Sequence, residues 1–145
     1  MAMNNKPYQK YLLYAEDDLD DQQMFVEIME MVDPTIQVEV FENGLPLFEH
    51  LNSIADDQML PSCIVLDINM PMWDGIRTLE ALKLSERFSS IPVCLLTTSS
   101  KVPDDSELEQ TPPDAFFTKP VKIDDMISIG KQFAVFCEQQ MQSHS

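Results

Sequence analysis

A chain of 145 residues is the size of one domain and can bury roughly two-thirds of its unfolded surface in a single core. With 9 basic against 25 acidic residues it carries a formal charge of −16, which disfavours nucleic acid and anionic membranes and favours cations or basic partner surfaces. No apolar run approaches the ~20 residues that span a bilayer, and the cysteines have no zinc-like spacing to His50 or His144, so the totals predict a soluble cytoplasmic protein with buried, reduced thiols.

Strands and helices alternate along the chain, which predicts βαβ units and a doubly wound α/β fold with five parallel strands. Residues 1–10 read as an N-terminal extension, 11–140 as one domain and 141–145 as a polar tail. The first apolar run, Tyr11 to Ala15, ends on Glu16-Asp17-Asp18. Leu19 to Val32 then carries Phe25, Ile28, Met29 and Val32 at helical spacing, with acids at its start, where the helix dipole favours them, and Asp33-Pro34 stops it. Gln37 to Phe41 alternates as a second strand. Asn43-Gly44 turns into a short helix, Leu45 to Ile54, with Leu47, Phe48 and Leu51 inward. A loose loop, Asp56 to Pro61, precedes the third strand.

That third strand, Cys63 to Leu66, is too short and too apolar for a surface helix and ends on Asp67 before the Pro/Gly loop Asn69 to Gly75. Asp74 caps a third helix to Leu84, buried through Ile76, Leu79 and Leu82. Pro92 opens the fourth strand, Val93 to Leu96, which ends on Thr97-Thr98. Between Ser99 and Asp114, Pro103, Pro112 and Pro113 leave only about two turns of helix, Asp104 to Gln110, so the fourth helix is expected to be short or irregular. Ala115 to Thr118 makes the fifth strand, ending on Lys119-Pro120. The last helix, Lys122 to Gln140, is apolar over about half its circumference. That is wider than one sheet face requires, so the strip at its border, Ile129, Phe133 and Phe136, is expected to be either an exposed interaction surface or core covered by the Ser99 to Asp114 segment.

In an open parallel sheet, ligands sit at the carboxyl ends of the strands, so the topology collects Glu16, Asp17, Asp67, Thr97 and Lys119 in one place. Each has a duller role open to it: Asp17 and Asp18 as helix caps, Asp67 as a strand-end acid, Lys119 as a solvated charge. Clustered carboxylates repel one another unless a hard divalent cation holds them, and Mg2+ suits oxygen ligands while keeping waters that a phosphoryl oxygen can replace. Lys119 and Thr97 would add an ammonium and a hydroxyl aimed at the same group, with Asp67 as nucleophile.

These motifs resemble the receiver domain of two-component response regulators, of the stand-alone single-domain type: Glu16-Asp17, Asp67 with Met70-Pro71 and Asp74-Gly75, Thr97 after Pro92, and Lys119-Pro120, in order, over about Tyr11 to Gln140. The resemblance implies a flavodoxin-like sheet of order 2-1-3-4-5. It also implies phosphorylation at Asp67, and Mg2+ bound by Asp17, Asp67 and the Asn69 carbonyl, with Glu16 acting mostly through water. Thr97 becomes the switch hydroxyl, Phe116 the switch aromatic and Lys119 the phosphate-contacting ammonium before a cis Pro120. Asp18, Thr98 and Ser99 stand where modulators of the site are expected, Thr98 being larger than the residue usual beside the switch hydroxyl. The family's small-residue turn is replaced here by Thr111-Pro112-Pro113-Asp114, and the stretch from Asp17 to Asp67 is longer than usual.

The implied function is Mg2+-dependent transfer from a histidine kinase or histidine phosphotransfer protein to Asp67, switching a surface read by a downstream protein. Such a protein takes and loses phosphate without being a turnover enzyme. A homodimer through the last helix and fifth strand is a further expectation; nucleic acid and membrane are not expected partners. The alternatives are an unphosphorylated receiver-like binding module and a small aspartate-nucleophile phosphohydrolase of the haloacid dehalogenase type. In the latter a second Asp stands where this chain has Asn69.

Overall fold

A computed structural model describes residues 10–98 and 105–143. The elements run β1 (Tyr11–Ala15), α1 (Leu19–Val32), β2 (Gln37–Phe41), α2 (Gly44–Ser53), β3 (Cys63–Leu66), α3 (Gly75–Leu84), β4 (Val93–Thr97), α4 (Asp105–Gln110), β5 (Ala115–Thr118) and α5 (Ile123–Ser143). All strand pairs are parallel, in the order β2-β1-β3-β4-β5. The chain leaves β1 outward to β2 and returns on the other side of β1 to β3, so the winding reverses between β1 and β3. At such a reversal the connecting loops part and leave a crevice at the carboxyl ends of the two strands.

Side-chain alternation along the strands sorts the core into two layers. Leu13, Ala15, Ile64, Leu66, Val93 and Leu95 face α2 and α3, meeting Leu47, Leu51, Leu79, Leu82 and Phe88. Leu12, Tyr14, Cys63, Val65, Cys94 and Leu96 face α1 and α5, meeting Phe25, Ile28, Met29, Met126, Phe133 and Cys137. β3 and β4 are buried throughout, as continuous apolar strands covered on both faces must be. Cys63, Cys94 and Cys137 are free and buried, and a contact with Cys94 together with burial raises the Cys63 thiol well above its ordinary pKa.

Helix starts follow local chemistry. Asp18, Asn43 and Asp74 accept from the backbone N–H groups of Asp21, Leu45 and Arg77 and so cap α1, α2 and α3. α2 and α3 cross closely, for a Cβ on Gly44 would stand 1.6 Å from Thr78 Oγ1. α1 ends at Asp33, whose carboxylate, with that of Glu138 on α5, takes the Lys10 ammonium at 2.9 Å each. α4 is the short helix expected, with six residues and Leu108 half-buried against the α2/α3 layer.

The strip on the last helix is corrected. Phe133 is fully buried, its ring 5.8 Å from Phe25 on α1 and 5.5 Å from Phe117 on β5, and Ile129 and Phe136 are partly buried in the same cluster. α5 packs on α1 as well as on the sheet, and a Cβ on Gly130 would touch Ile28, Val32 and Met29 at 3.1–3.4 Å. A helix wedged between two neighbours needs the wider apolar face that the sequence displays. Ile123 and Val135 remain exposed on it.

Candidate functional site

Backbone hydrogen bonds continue the ladders past the last strand residues, tying the end of β1 to those of β2 and β3 and the end of β5 to that of β4. Glu16 N–H donates to Phe41 C=O at 2.9 Å, Asp67 N–H to Ala15 C=O at 3.0 Å, and Lys119 N–H to Thr97 C=O at 2.7 Å. Glu16, Asp17 and Asp67 thereby each present a carboxylate oxygen within 4.8 Å of the others. Glu16 and Asp67 are buried and Asp17 is exposed. At that separation each pair of charges repels by on the order of 3 kcal/mol at an effective dielectric of ~20.

Glu16 is the most constrained of the three. Its Oε1 accepts from the Tyr14 hydroxyl at 3.1 Å and, closely, from the Lys119 ammonium, while Oε2 accepts from the Asp18 N–H at 3.1 Å. Burial pushes its pKa up to about 7, with Asp67 adding to the rise and Lys119 opposing it. Asp67 Oδ1 accepts from the Ile68 N–H at 2.8 Å, and Oδ2 lies 3.6 Å from Lys119 Nζ, close enough for attraction but not for a hydrogen bond. Burial alone would lower the Lys119 pKa. Hydrogen bonds to Asp21, at 2.8 Å, and to Glu16, with the Asp67 charge, outweigh it and hold the ammonium above its ordinary value.

Thr97, the last residue of β4, is fully buried, with no hydrogen-bond partner for Oγ1. Leaving a buried hydroxyl unpaired costs about 1–3 kcal/mol. Together, three acids in excess of their cation and an unpaired hydroxyl suit a divalent metal carrying an oxygen-rich anion.

The remaining expected residues surround this centre. Asn69 and Thr98 are exposed, and Phe116 is half-buried against the α2/α3 layer that also receives Leu108. Asp18 is exposed and serves as the α1 cap. Ser99 lies outside the described residues. Trp73 is half-buried, its ring 5.4 Å from Phe48 and 4.7 Å from the Arg77 guanidinium, and its carbonyl accepts from Gly44 N–H at 3.1 Å. One expectation is overturned: no peptide bond among the described residues is cis, so Lys119–Pro120 is trans. The two isomers of a bond before proline differ by only about 0.5–1 kcal/mol, so the residue pair by itself does not dictate the form.

Two participants went unread in the sequence. Tyr14 stacks on Phe25 at 3.9 Å and turns its hydroxyl to Glu16; burial, with Glu16 next, raises its pKa. Asp21 reaches Lys119 from the first turn of α1. Both were open to periodicity: Tyr14 is i−2 from Glu16 on an extended segment and Asp21 is i+4 from Asp17 near a helix start.

Comparison with known proteins agrees with this geometry. A sequence model of the response regulator receiver domain matches residues 12–130, and the chain belongs to that family. Among curated relatives, response regulator Rcp1 of Synechocystis is 28% identical over 97 residues, covering 66% of each chain. The probable methanogenesis regulatory protein FilR2 of Methanothrix harundinacea is 27% identical over 116 residues, covering 79% of this chain and 75% of that one. The chain covers only 30% of the length of response regulator Rre1 of Synechocystis, at 39% identity over 70 residues.

Among solved structures, the Mn2+-bound form of Rcp1 superposes with a TM-score of 0.72 at 25% identity, over 88% of this chain and 93% of that one. The phosphorylated cyanobacterial phytochrome response regulator RcpA, at 23% identity, shows the same fold with a TM-score of 0.76, over 89% and 94% of the two chains. Receiver domains bind a divalent metal and work with histidine kinases or phosphotransfer proteins. Such response regulators are signalling proteins rather than classical enzymes. No helix among the described residues is long and apolar enough to cross a membrane.

Proposed function

We propose that this chain accepts a phosphoryl group on Asp67 from the phosphohistidine of a histidine kinase or phosphotransfer protein, with Mg2+ as its metal. The observation that carries this reading is the convergence of Glu16, Asp17 and Asp67 with the Lys119 ammonium and the unpartnered Thr97 hydroxyl at one crevice. An Asp67 carboxylate oxygen forms the bond to phosphorus as the phosphorus–nitrogen bond breaks, and the imidazole leaves with the electron pair. Glu16, Asp17, Asp67 and the Asn69 carbonyl would hold the metal, which supplies positive charge to the transferring oxygens. Lys119 contributes its charge from the β5 side and Thr97 its hydroxyl from β4.

Once a phosphoryl oxygen accepts from the Thr97 hydroxyl, that side chain has reason to turn toward it, and Phe116, paired with Leu95 two residues before Thr97 on β4, has reason to repack. The signal would leave through α4, β5 and the exposed positions of α5, where a downstream protein or a second copy of the chain would read it. With Phe133 in the core, self-association on this face would fall to β5 and to residues such as Val135.

The test is labelling with a small-molecule phosphodonor in Mg2+, followed by mass spectrometry of the acyl phosphate. Wild type is expected to gain one phosphoryl group and Asp67→Asn none. Labelling that persists in Asp67→Asn would exclude Asp67. Absence of labelling from both a small donor and phosphorylated kinases would leave a receiver-like binding module.

A further inference from the structure

The Lys119 ammonium sits between three carboxylates, but it is not shared equally. It bonds Glu16 and, at 2.8 Å, Asp21 Oδ2, while Asp67 Oδ2 stands off at 3.6 Å. Asp21 differs from the other two, since it is not among the acids that gather at the candidate metal position. A cation drawn to Glu16, Asp17 and Asp67 would therefore satisfy Glu16 and leave Asp21 holding Lys119.

Asp21 is also firmly placed, its backbone N–H bonded to the Asp18 cap at 3.0 Å and its side chain only 36% exposed. The Lys119 stem is fixed at its own backbone by the bond to Thr97. Only the long side chain can adjust, and a cavity of about 110 Å³ lined by Tyr14, Met24, Phe25 and Pro120 beside the pair gives it room.

We propose that Asp21 is a positioning residue acting as a competing counter-ion: by pairing with Lys119 it draws the ammonium away from Asp67 and weakens the hold of Lys119 on a phosphoryl group there. This inference rests on the reading of Asp67 as the phosphoryl acceptor. An ammonium has three donors, so geometry does not forbid it from serving Asp21 and a phosphoryl oxygen together. Charge is what opposes the arrangement. Asp21 neutralises the cation that the phosphoryl oxygens need and adds a negative charge of its own nearby.

The test uses the full chain and two probes, Mg2+ alone and then beryllofluoride, a phosphoryl mimic, in saturating Mg2+, both read by calorimetry. Asp21→Asn keeps the shape and removes the charge, and Asp21→Ser is a second variant of the same kind. Both are expected to bind beryllofluoride about three- to tenfold more tightly than wild type at low salt, with the gain shrinking as salt rises. Their Mg2+ affinity is expected to stay within about twofold of wild type, and Asp21→Glu is expected to restore wild-type binding of the mimic. A purely structural Asp21 would instead lower stability and weaken both ligands.

Equal or weaker mimic binding by Asp21→Asn and Asp21→Ser, with wild type binding normally, would overturn the counter-ion role and leave the acceptor reading intact. Failure of wild type to bind the mimic, or full binding by Asp67→Asn, would overturn both.

Discussion

Gly75, the first residue of α3, is packed against the backbone of Asp67. A Cβ on Gly75 would stand 2.3 Å from the Asp67 carbonyl oxygen and 2.8 Å from Ile68 Cα, and the Gly75 N–H donates to the Ile68 carbonyl at 2.9 Å. The close approach ties the start of α3 to the strand end that presents the Asp67 carboxylate. Gly75→Ala must push the two backbones apart, at about 1–3 kcal/mol. Thermal unfolding is expected to show that loss, and phosphodonor labelling to fall with it. A variant of wild-type stability would mean that the loop yields freely.

Asp67→Asn is expected to stabilise the metal-free protein while abolishing labelling. The amide oxygen can still accept from Ile68 N–H, no Lys119 hydrogen bond is lost at 3.6 Å, and one charge leaves a repelling trio. A gain of about 1–2 kcal/mol in chelator is expected, read by urea unfolding. Destabilisation would indicate that the 3.6 Å attraction to Lys119 outweighs the repulsion.

The pH dependence follows from Glu16. Its pKa rises on folding from 4.5 to about 7, so between those values the native state binds more protons than the unfolded state. Stability of the metal-free protein is then expected to fall as pH rises across that window. Lys119, raised from 10.5, keeps its charge and its contribution throughout. Mg2+ stabilises by mass action and competes with the proton for Glu16, so its effect on Tm is expected to be larger at pH 8 than at pH 5. Melting curves in chelator and in Mg2+ at both values measure this.

Trp73, the only tryptophan, is held in the loop after Asp67 between Phe48 and Arg77. Any shift of that loop alters its contact with the guanidinium, so emission is expected to change with millimolar Mg2+ and again with beryllofluoride. Silence in Mg2+ would count against a metal bordering the loop.

Phe133→Ala is expected to cost about 3–5 kcal/mol, since the ring is buried between Phe25 and Phe117. Val135→Ala, two residues on and half-exposed, is expected to stay within about 0.5 kcal/mol of wild type. The contrast separates core from surface on α5. A mild Phe133 variant with altered partner binding would return that residue to the docking face.

Much of the molecule is legible in local sequence because its signals are short-range. Apolar runs of four or five residues ending on polar groups mark the strands, Asp18, Asn43 and Asp74 mark helix starts, and prolines confine α4. The order of Glu16-Asp17, Asp67, Thr97 and Lys119 along the chain was enough to place them at one sheet edge, since parallel strands deliver their ends to the same side. What periodicity does not carry is the partner of each face and each charge. A wide stripe on α5 reads the same whether it meets solvent, a second protein or α1; only packing put Phe133 between Phe25 and Phe117. Lys119 likewise has several acids within its reach, and the lengths of the side chains and the seating of α1 decided that Glu16 and Asp21 hold it while Asp67 stands 3.6 Å away. The isomer at Pro120 turned on a difference too small for the residue pair to dictate. Local patterns record which groups must be buried or bent, whereas pairings depend on distances across the fold that arise only when the layers close.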